Sequence, residues 1–250
     1  MRALIVILCT VLFSFNSLAQ DTNKVDDAQL KQGLWITSYP GGKVESQGFY
    51  QDNKREGAWK FYHPDGQLNK IEEYENGSMH GIAVTINKKG ELTRQLNYKR
   101  GKEDGRQVHY FPGGRIKRII DYKDGVQHGL YKVNYRSGKV QEEATYVDGL
   151  KHGEAKWYYS DGDCGLASLY PYEKGSIEGV VKSFYCGGTV KSEITFKNNE
   201  KNGTFKEYYE SGAVKLEGEY KNGKKHGDWL YYTEENKVEK REKYRDGELK

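Results

Sequence analysis

From Gly33 onward the chain runs in stretches of six to eight residues in which apolar and polar positions alternate, each stretch closed by glycine or asparagine. Alternation at period two over that length predicts strands rather than helices, whose apolar positions would fall three and four apart. The glycines set a frame. Gly33, Gly57, Gly81, Gly105, Gly129, Gly153, Gly179, Gly203 and Gly227 succeed one another every 24 residues, with one interval of 26 between Gly153 and Gly179. Nine residues after each comes Gly42, Gly66, Gly90, Gly114, Gly138, Gly162, Gly188 or Gly212, with Asn236 in the last place. A third series closes each unit: Asn53, Gly77, Gly101, Gly125, Gly149, Gly175, Asn199, Gly223 and Gly247. Asparagine is the other residue that tolerates positive φ, so the second and third series mark turns and not ligands.

Two further series carry side chains. Three residues before the closing turn stands an aromatic: Tyr50, Tyr74, Tyr98, Tyr122, Tyr146, Tyr172, Phe196, Tyr220 and Tyr244. Two residues after the second series stands Val44, Leu68, Leu92, Ile116, Val140, Cys164, Val190, Val214 or Val238. Turn chemistry such as His63-Pro64-Asp65-Gly66 between the two stretches of a unit makes each unit a β-hairpin. The predicted fold is therefore all-β: an elongated antiparallel meander of about nine stacked hairpins, over 33–56, 57–80, 81–104, 105–128, 129–152, 153–178, 179–202, 203–226 and 227–250. At ~4.8 Å per strand such a sheet is on the order of 85 Å long.

The start of the chain reads differently. Met1-Arg2, the apolar run Ala3–Phe13 and small residues at Ser17 and Ala19 predict an export signal over 1–19. The run is about half the ~20 apolar residues a membrane-spanning helix needs. Residues 20–32 form a polar lead-in. The expected location is the periplasm or outside a bacterial cell, without a transmembrane segment in the mature chain.

Composition sharpens this picture. Thirty glycines, 21 tyrosines but only 8 phenylalanines, and 30% charged residues leave little aliphatic mass for a thick core. A thin, Tyr-rich sheet fits. Net charge is +4, with Lys, Arg, Asp and Glu interleaved, so no sustained basic stripe points to nucleic acid. Charge along Lys237–Lys243 suits an exposed last strand that must resist edge pairing.

The segment Tyr220-Lys-Asn-Gly223-Lys-Lys-His-Gly227-Asp-Trp229 resembles the core of a MORN repeat in its bacterial variant form. The frame recurs at Tyr74/Gly77/Gly81, Tyr98/Gly101/Gly105, Tyr122/Gly125/Gly129 and Tyr146/Gly149/Gly153. Chains similar to this include the YwqK-type antitoxin-like family and protein- or lipid-binding scaffolds. The resemblance implies stacked hairpins with no catalytic residues to carry over.

With His63 paired to Gln67, Tyr62 is expected beside Leu68 on one face with Tyr74 farther along, and Trp59 and Phe61 on the other. Trp35, Tyr131, Trp157, Phe205, Trp229 and Tyr231 occupy places matching the latter two. Such a ladder either ties neighbouring hairpins together or forms a partner groove. On the groove reading, Trp59→Ala and Trp229→Ala weaken partner capture without unfolding the chain.

Nothing in the repeats has the spacing of a catalytic motif, and no enzyme activity or cofactor is expected. His80, His128, His152 and His226 share one repeat position, but Glu56, Asp104, Glu178 and Asn202 fill it elsewhere. Equivalent positions lie ~10 Å apart, too far for a shared metal, so a polar turn position is expected. Cys164 and Cys186 flank hairpin turns of neighbouring units at one end of the sheet. They form a disulfide, or remain thiols with Cys164 filling the valine position and the two-residue insertion in its strand. The function expected is a non-enzymatic protein-binding scaffold in the cell envelope. The alternatives are an immunity protein against an envelope-acting toxin, or a binder of envelope glycan or lipid.

Overall fold

The computed structural model describes residues 21–250, so the predicted export signal lies outside the described residues. The regular structure is all strand: twenty-two segments in one open antiparallel meander, with no helix among the described residues. Nine hairpins compose it, from Lys31–Ser38 paired with Val44–Gln51 to Lys224–Tyr232 paired with Val238–Arg245. Two-residue strands, Lys24–Val25 and Glu248–Leu249, finish the ends. The first strands of the fourth and seventh hairpins are each interrupted once, at Asp104 and Glu178.

Two kinds of turn alternate. Within a hairpin the chain reverses as in the second, where His63 N donates to Gln67 O at 2.7 Å and Gly66 N to His63 O at 2.8 Å. Between hairpins it reverses in two residues, both at positive φ: Asn76 at 50° and Gly77 at 82°. That is the geometry of a type I′ turn, whose twist matches that of the flanking strands and which Asn-Gly and Asp-Gly adopt most readily. These turns also stack. Gly77 N donates to Arg55 O at 2.9 Å, Gly101 N to Met79 O at 2.8 Å and Gly149 N to Gln127 O at 2.9 Å, and the series continues to Gly247 N on Lys225 O.

Every hairpin also holds a bulge, and it decides which side chains share a face. In the second hairpin Gly57 faces Tyr74, Trp59 faces Glu72 and Phe61 faces Lys70, but Tyr62 faces Leu68. Asn69 is the extra residue. Because side chains alternate, one added residue sends everything beyond it to the other side. Tyr74 therefore lies on the Trp59 and Phe61 face, and not with Tyr62 and Leu68 as simple alternation predicts. The same holds for the whole tyrosine series, since each hairpin shifts register at this place.

The 26-residue interval also lies elsewhere than its cysteine suggested. The extra residues enlarge the turn of the sixth hairpin, closed by Tyr159 N on Gly165 O at 3.1 Å. Leu166, opposite Tyr158, takes the apolar place expected for Cys164, and Gly165 at φ 68° takes the left-handed site expected for Gly162. The strands on either side keep their register because the loop absorbs the insertion.

Candidate functional site

The face that carries Trp59 holds most of what is buried in the sheet. A row crosses it at the second residue after each first-series glycine: Trp35, Trp59, Ala83, Gln107, Tyr131, Ala155, Val181, Phe205 and Trp229. Trp59 is 2% exposed and Trp229 1%. A single-layer sheet hides rings this large by giving each a gap on one side and a cover on the other. The gaps are Gly48 and Gly218, where a Cβ would overlap the Trp59 and Trp229 rings respectively. The covers are cations whose stems lie across the rings: Arg55 at 4.5 Å from the Trp59 centroid and Lys225 at 4.1 Å from that of Trp229. Tyr50 and Tyr220 close the sides edge-on, at 4.9 and 5.2 Å. These contacts make the two tryptophans core residues, so the expectation that Trp59→Ala and Trp229→Ala spare the fold is corrected.

The remaining aromatics singled out in the sequence are half-buried on the same face, paired with neighbours. Trp35 meets Tyr50 at 5.6 Å, Phe61 meets Trp59 at 6.2 Å, and Tyr131 meets Tyr146 at 5.7 Å. Trp157 meets Tyr170 at 5.0 Å and Phe205 stacks on Trp229 at 5.3 Å. Tyr231 donates to Glu242 Oε2 at 2.7 Å, which pushes its hydroxyl pKa up to about 12. Lys240, Tyr231 and Tyr244 together hold Glu242 at about 2. Tyr74, Tyr98, Tyr122, Tyr146 and Tyr220 each face a first-series glycine, in order Gly57, Gly81, Gly105, Gly129 and Gly203. Gly153 and Gly227 stand in the same place opposite Tyr172 and Tyr244.

The opposite face is tied by hydroxyls. Tyr39, Tyr135, Tyr159, Tyr185 and Tyr209 donate to the carbonyls of Tyr62, Tyr158, Phe184, Tyr208 and Tyr232 in the next hairpin, at 2.6–2.8 Å. Toward the C-terminus a lysine, a glutamate and a tyrosine from three successive strands also meet. Lys182 and Tyr208 bracket Glu193 at 2.9 Å each, and Lys132 and Tyr158 bracket Glu143 at 2.6 and 3.3 Å. Burial and then Glu193 raise the Tyr208 pKa to about 12, while Lys182 holds Glu193 below the usual carboxylate range. The tyrosines that tie the hairpins carry a sequence signal, a recurring residue six after the first-series glycine, which alternation alone does not single out.

The position shared by the histidines is a turn-capping one. Glu56, Asp104 and Glu178 accept from the amides of Asn76, Asp124 and Asn198 in the next inter-hairpin turn, at 2.8–3.0 Å. His128 Nδ1 faces Asp148 at the equivalent turn, 3.3 Å from its carboxylate. His80 instead contacts Glu75 at 2.8 Å. Cys164 and Cys186 are joined as a disulfide, with Cα atoms 4.2 Å apart.

Three exposed apolar side chains come together at the inter-hairpin turns that flank the fifth hairpin. Val147 and Leu150 pair across one turn at 37% and 49% exposure, and Val126, 45% exposed, packs beneath Gly149 of that same turn. The strip lies outside every aromatic pair described above.

Six stretches of the chain, 31–52, 55–76, 127–148, 151–163, 177–198 and 201–222, match the family described as MORN repeat variant. No curated protein matches the chain. Segment 77–126, between the second and third matches, keeps the glycines and turns of the frame but replaces its aromatic row with Ala83 and Gln107. Hairpins of one design lie on both sides of that segment, and the six matched stretches among them are similar to MORN repeat variants.

Proposed function

We propose that this chain is a non-enzymatic protein-binding scaffold, exported to the cell envelope. The observation that carries this reading is the exposed apolar strip of Val126, Val147 and Leu150. An exposed apolar strip on a molecule with so little aliphatic residue to spare marks a contact surface. The aromatic rows are committed to holding hairpins together, which leaves the strip as the surface that a partner engages. The export reading rests on the leader of residues 1–19.

Affinity capture with the tagged mature chain from its own envelope fraction tests the proposal, with mass spectrometry of what survives a salt wash. One stoichiometric protein, lost from a Leu150→Asp chain, supports it. If that protein is a toxin, the scaffold is of the immunity kind that the likeness to YwqK-type chains suggests. Retention of envelope lipid or glycan alone, or capture unchanged in Leu150→Asp, sinks it.

A further inference from the structure

One file of side chains crosses the Trp59 face at the fourth residue after each first-series glycine, one step nearer the hairpin turns than the tryptophan row. Register pairs place Phe61, Lys70, Thr85, Arg94, His109, Arg118, Val133, Glu142 and Trp157 in order across nine successive strands. Near its ends the file is neutralised: Lys70 binds Glu72 at 2.7 Å, and Glu142 accepts from Lys151 at 3.0 Å. Between them stand Arg94, His109 and Arg118 on three adjacent strands. Among the described residues neither arginine has a carboxylate within ion-pair distance, although fifteen such pairs form elsewhere on the sheet. The Arg118 Nε is buried without an acceptor.

Groups directly opposite in an antiparallel pair sit about 5 Å apart, where like charges destabilise the sheet. Their mutual influence is evident on His109, whose pKa is lowered by burial and then by Arg118, Arg94 and Lys117. A fold that can bracket Glu193 and Glu143 with a lysine and a tyrosine leaves these two arginines without a carboxylate, one on either side of His109, with Thr85 and Val133 as the outer, uncharged neighbours.

We infer that Arg94, His109 and Arg118 form a binding site for the phosphate group of a phosphomonoester. Two guanidinium forks approach from strands ~10 Å apart, with an imidazole between them. A carboxylate presents two oxygens and fills one fork. A phosphate monoester presents three, so both forks and the imidazole find an acceptor at once. Its charge of −1.5 to −2 near neutral pH also matches the two fixed positive charges. The site lies within 77–126, where the family pattern gives way, and on the opposite face from the Val126–Val147–Leu150 strip. It stands independently of the scaffold reading.

The test is a titration of the full mature chain at low ionic strength with inorganic phosphate and, separately, with glucose 6-phosphate. The imidazole signals of His109 are followed by nuclear magnetic resonance and assigned by loss in His109→Gln. The expected result is a saturable shift at His109, weakened about tenfold or more in Arg94→Gln and in Arg118→Gln, as removal of a charge-assisted bond predicts. Arg118→Lys keeps the charge but loses the fork and weakens binding less than Arg118→Gln. Lys215→Gln, which alters a cation paired with Glu207 elsewhere, leaves it unchanged. Tighter binding of glucose 6-phosphate assigns the site to a sugar-borne phosphate, and tighter binding of the inorganic ion to free phosphate. No saturation with either, an equal response to chloride, or unchanged affinity in folded Arg94→Gln and Arg118→Gln chains overturns the assignment.

Discussion

The eighth and ninth hairpins and the third and fourth share one backbone and differ in almost everything laid upon it. In the former, Phe205, Tyr220 and Trp229 interlock beside Gly218, under the ammonium of Lys225. In the latter the places of Phe205, Tyr220, Trp229 and Gly218 hold Ala83, Tyr98, Gln107 and Leu96. Gln107, 1% exposed, binds the Asn97 amide through its oxygen at 2.7 Å and the Asn97 carbonyl through its nitrogen at 2.8 Å. Trp59 spans the equivalent bulge with one bond, from Nε1 to the Phe49 carbonyl at 3.0 Å. The opposite face changes too: Tyr209 ties its hairpin to the next, whereas Phe111 in the fourth has no hydroxyl to donate. Turns and bulges are thus a property of the frame, and the rows of side chains are interchangeable upon it.

The sharpest way to break this equivalence is to empty the aromatic row. Trp229→Ala is expected to cost about 3–5 kcal/mol, as large-to-small truncations of buried rings do, read from chemical denaturation. A cost below 1 kcal/mol would show that the ring is not part of the core. Filling the gap from below is expected to cost less: Gly218→Ala drives a methyl into the Trp229 ring, for about 1–3 kcal/mol of overpacking in the same measurement. The corresponding residue of the middle hairpins is already Leu96, so Leu96→Ala is expected to follow ordinary cavity formation instead.

Smaller effects come from the hydroxyl ties. Tyr209→Phe removes the donor to the Tyr232 carbonyl and is expected to lose about 1 kcal/mol. Phe111→Tyr is the reciprocal change, placing a hydroxyl where the fifth hairpin's Asn134 carbonyl stands, and is expected to gain up to about 1 kcal/mol. If the gain is absent, the tie depends on more than the frame. The smallest expected effect is on acid sensitivity. Glu193 has its pKa lowered by Lys182, so the stability it contributes is complete above its unfolded value of about 4.5. That contribution is lost as pH falls through the lowered folded value. Glu193→Gln is therefore expected to flatten the decline of melting temperature below that pH, and an unchanged decline would place the acid response elsewhere.

Most of the frame was legible because glycine and asparagine report backbone conformation directly: positions such as Asn53, Gly77 and Gly125 have positive φ whatever surrounds them. The face assignments were not legible from alternation, because a bulge residue such as Asn69 has no composition of its own. One unmarked residue moved Tyr74 to the other side of the sheet. Burial was hidden for a related reason. Trp59 looks the same in sequence whether it is presented to a partner or buried at a glycine, and only the cross-strand position of Gly48 decides. This cluster was missed because Arg94, His109 and Arg118 come together only once the register of three strands is known.

The bond between Cys164 and Cys186 has a mechanical consequence. A meander pulled from its two ends yields hairpin by hairpin, each surrendering its full contour length. The cross-link closes a loop spanning 22 positions in sequence. At ~3.4 Å per residue, about 75 Å of chain is withheld from extension while the bond persists. A reducing agent would release that length in one step, so the protein's reach under tension depends on the redox state of its surroundings.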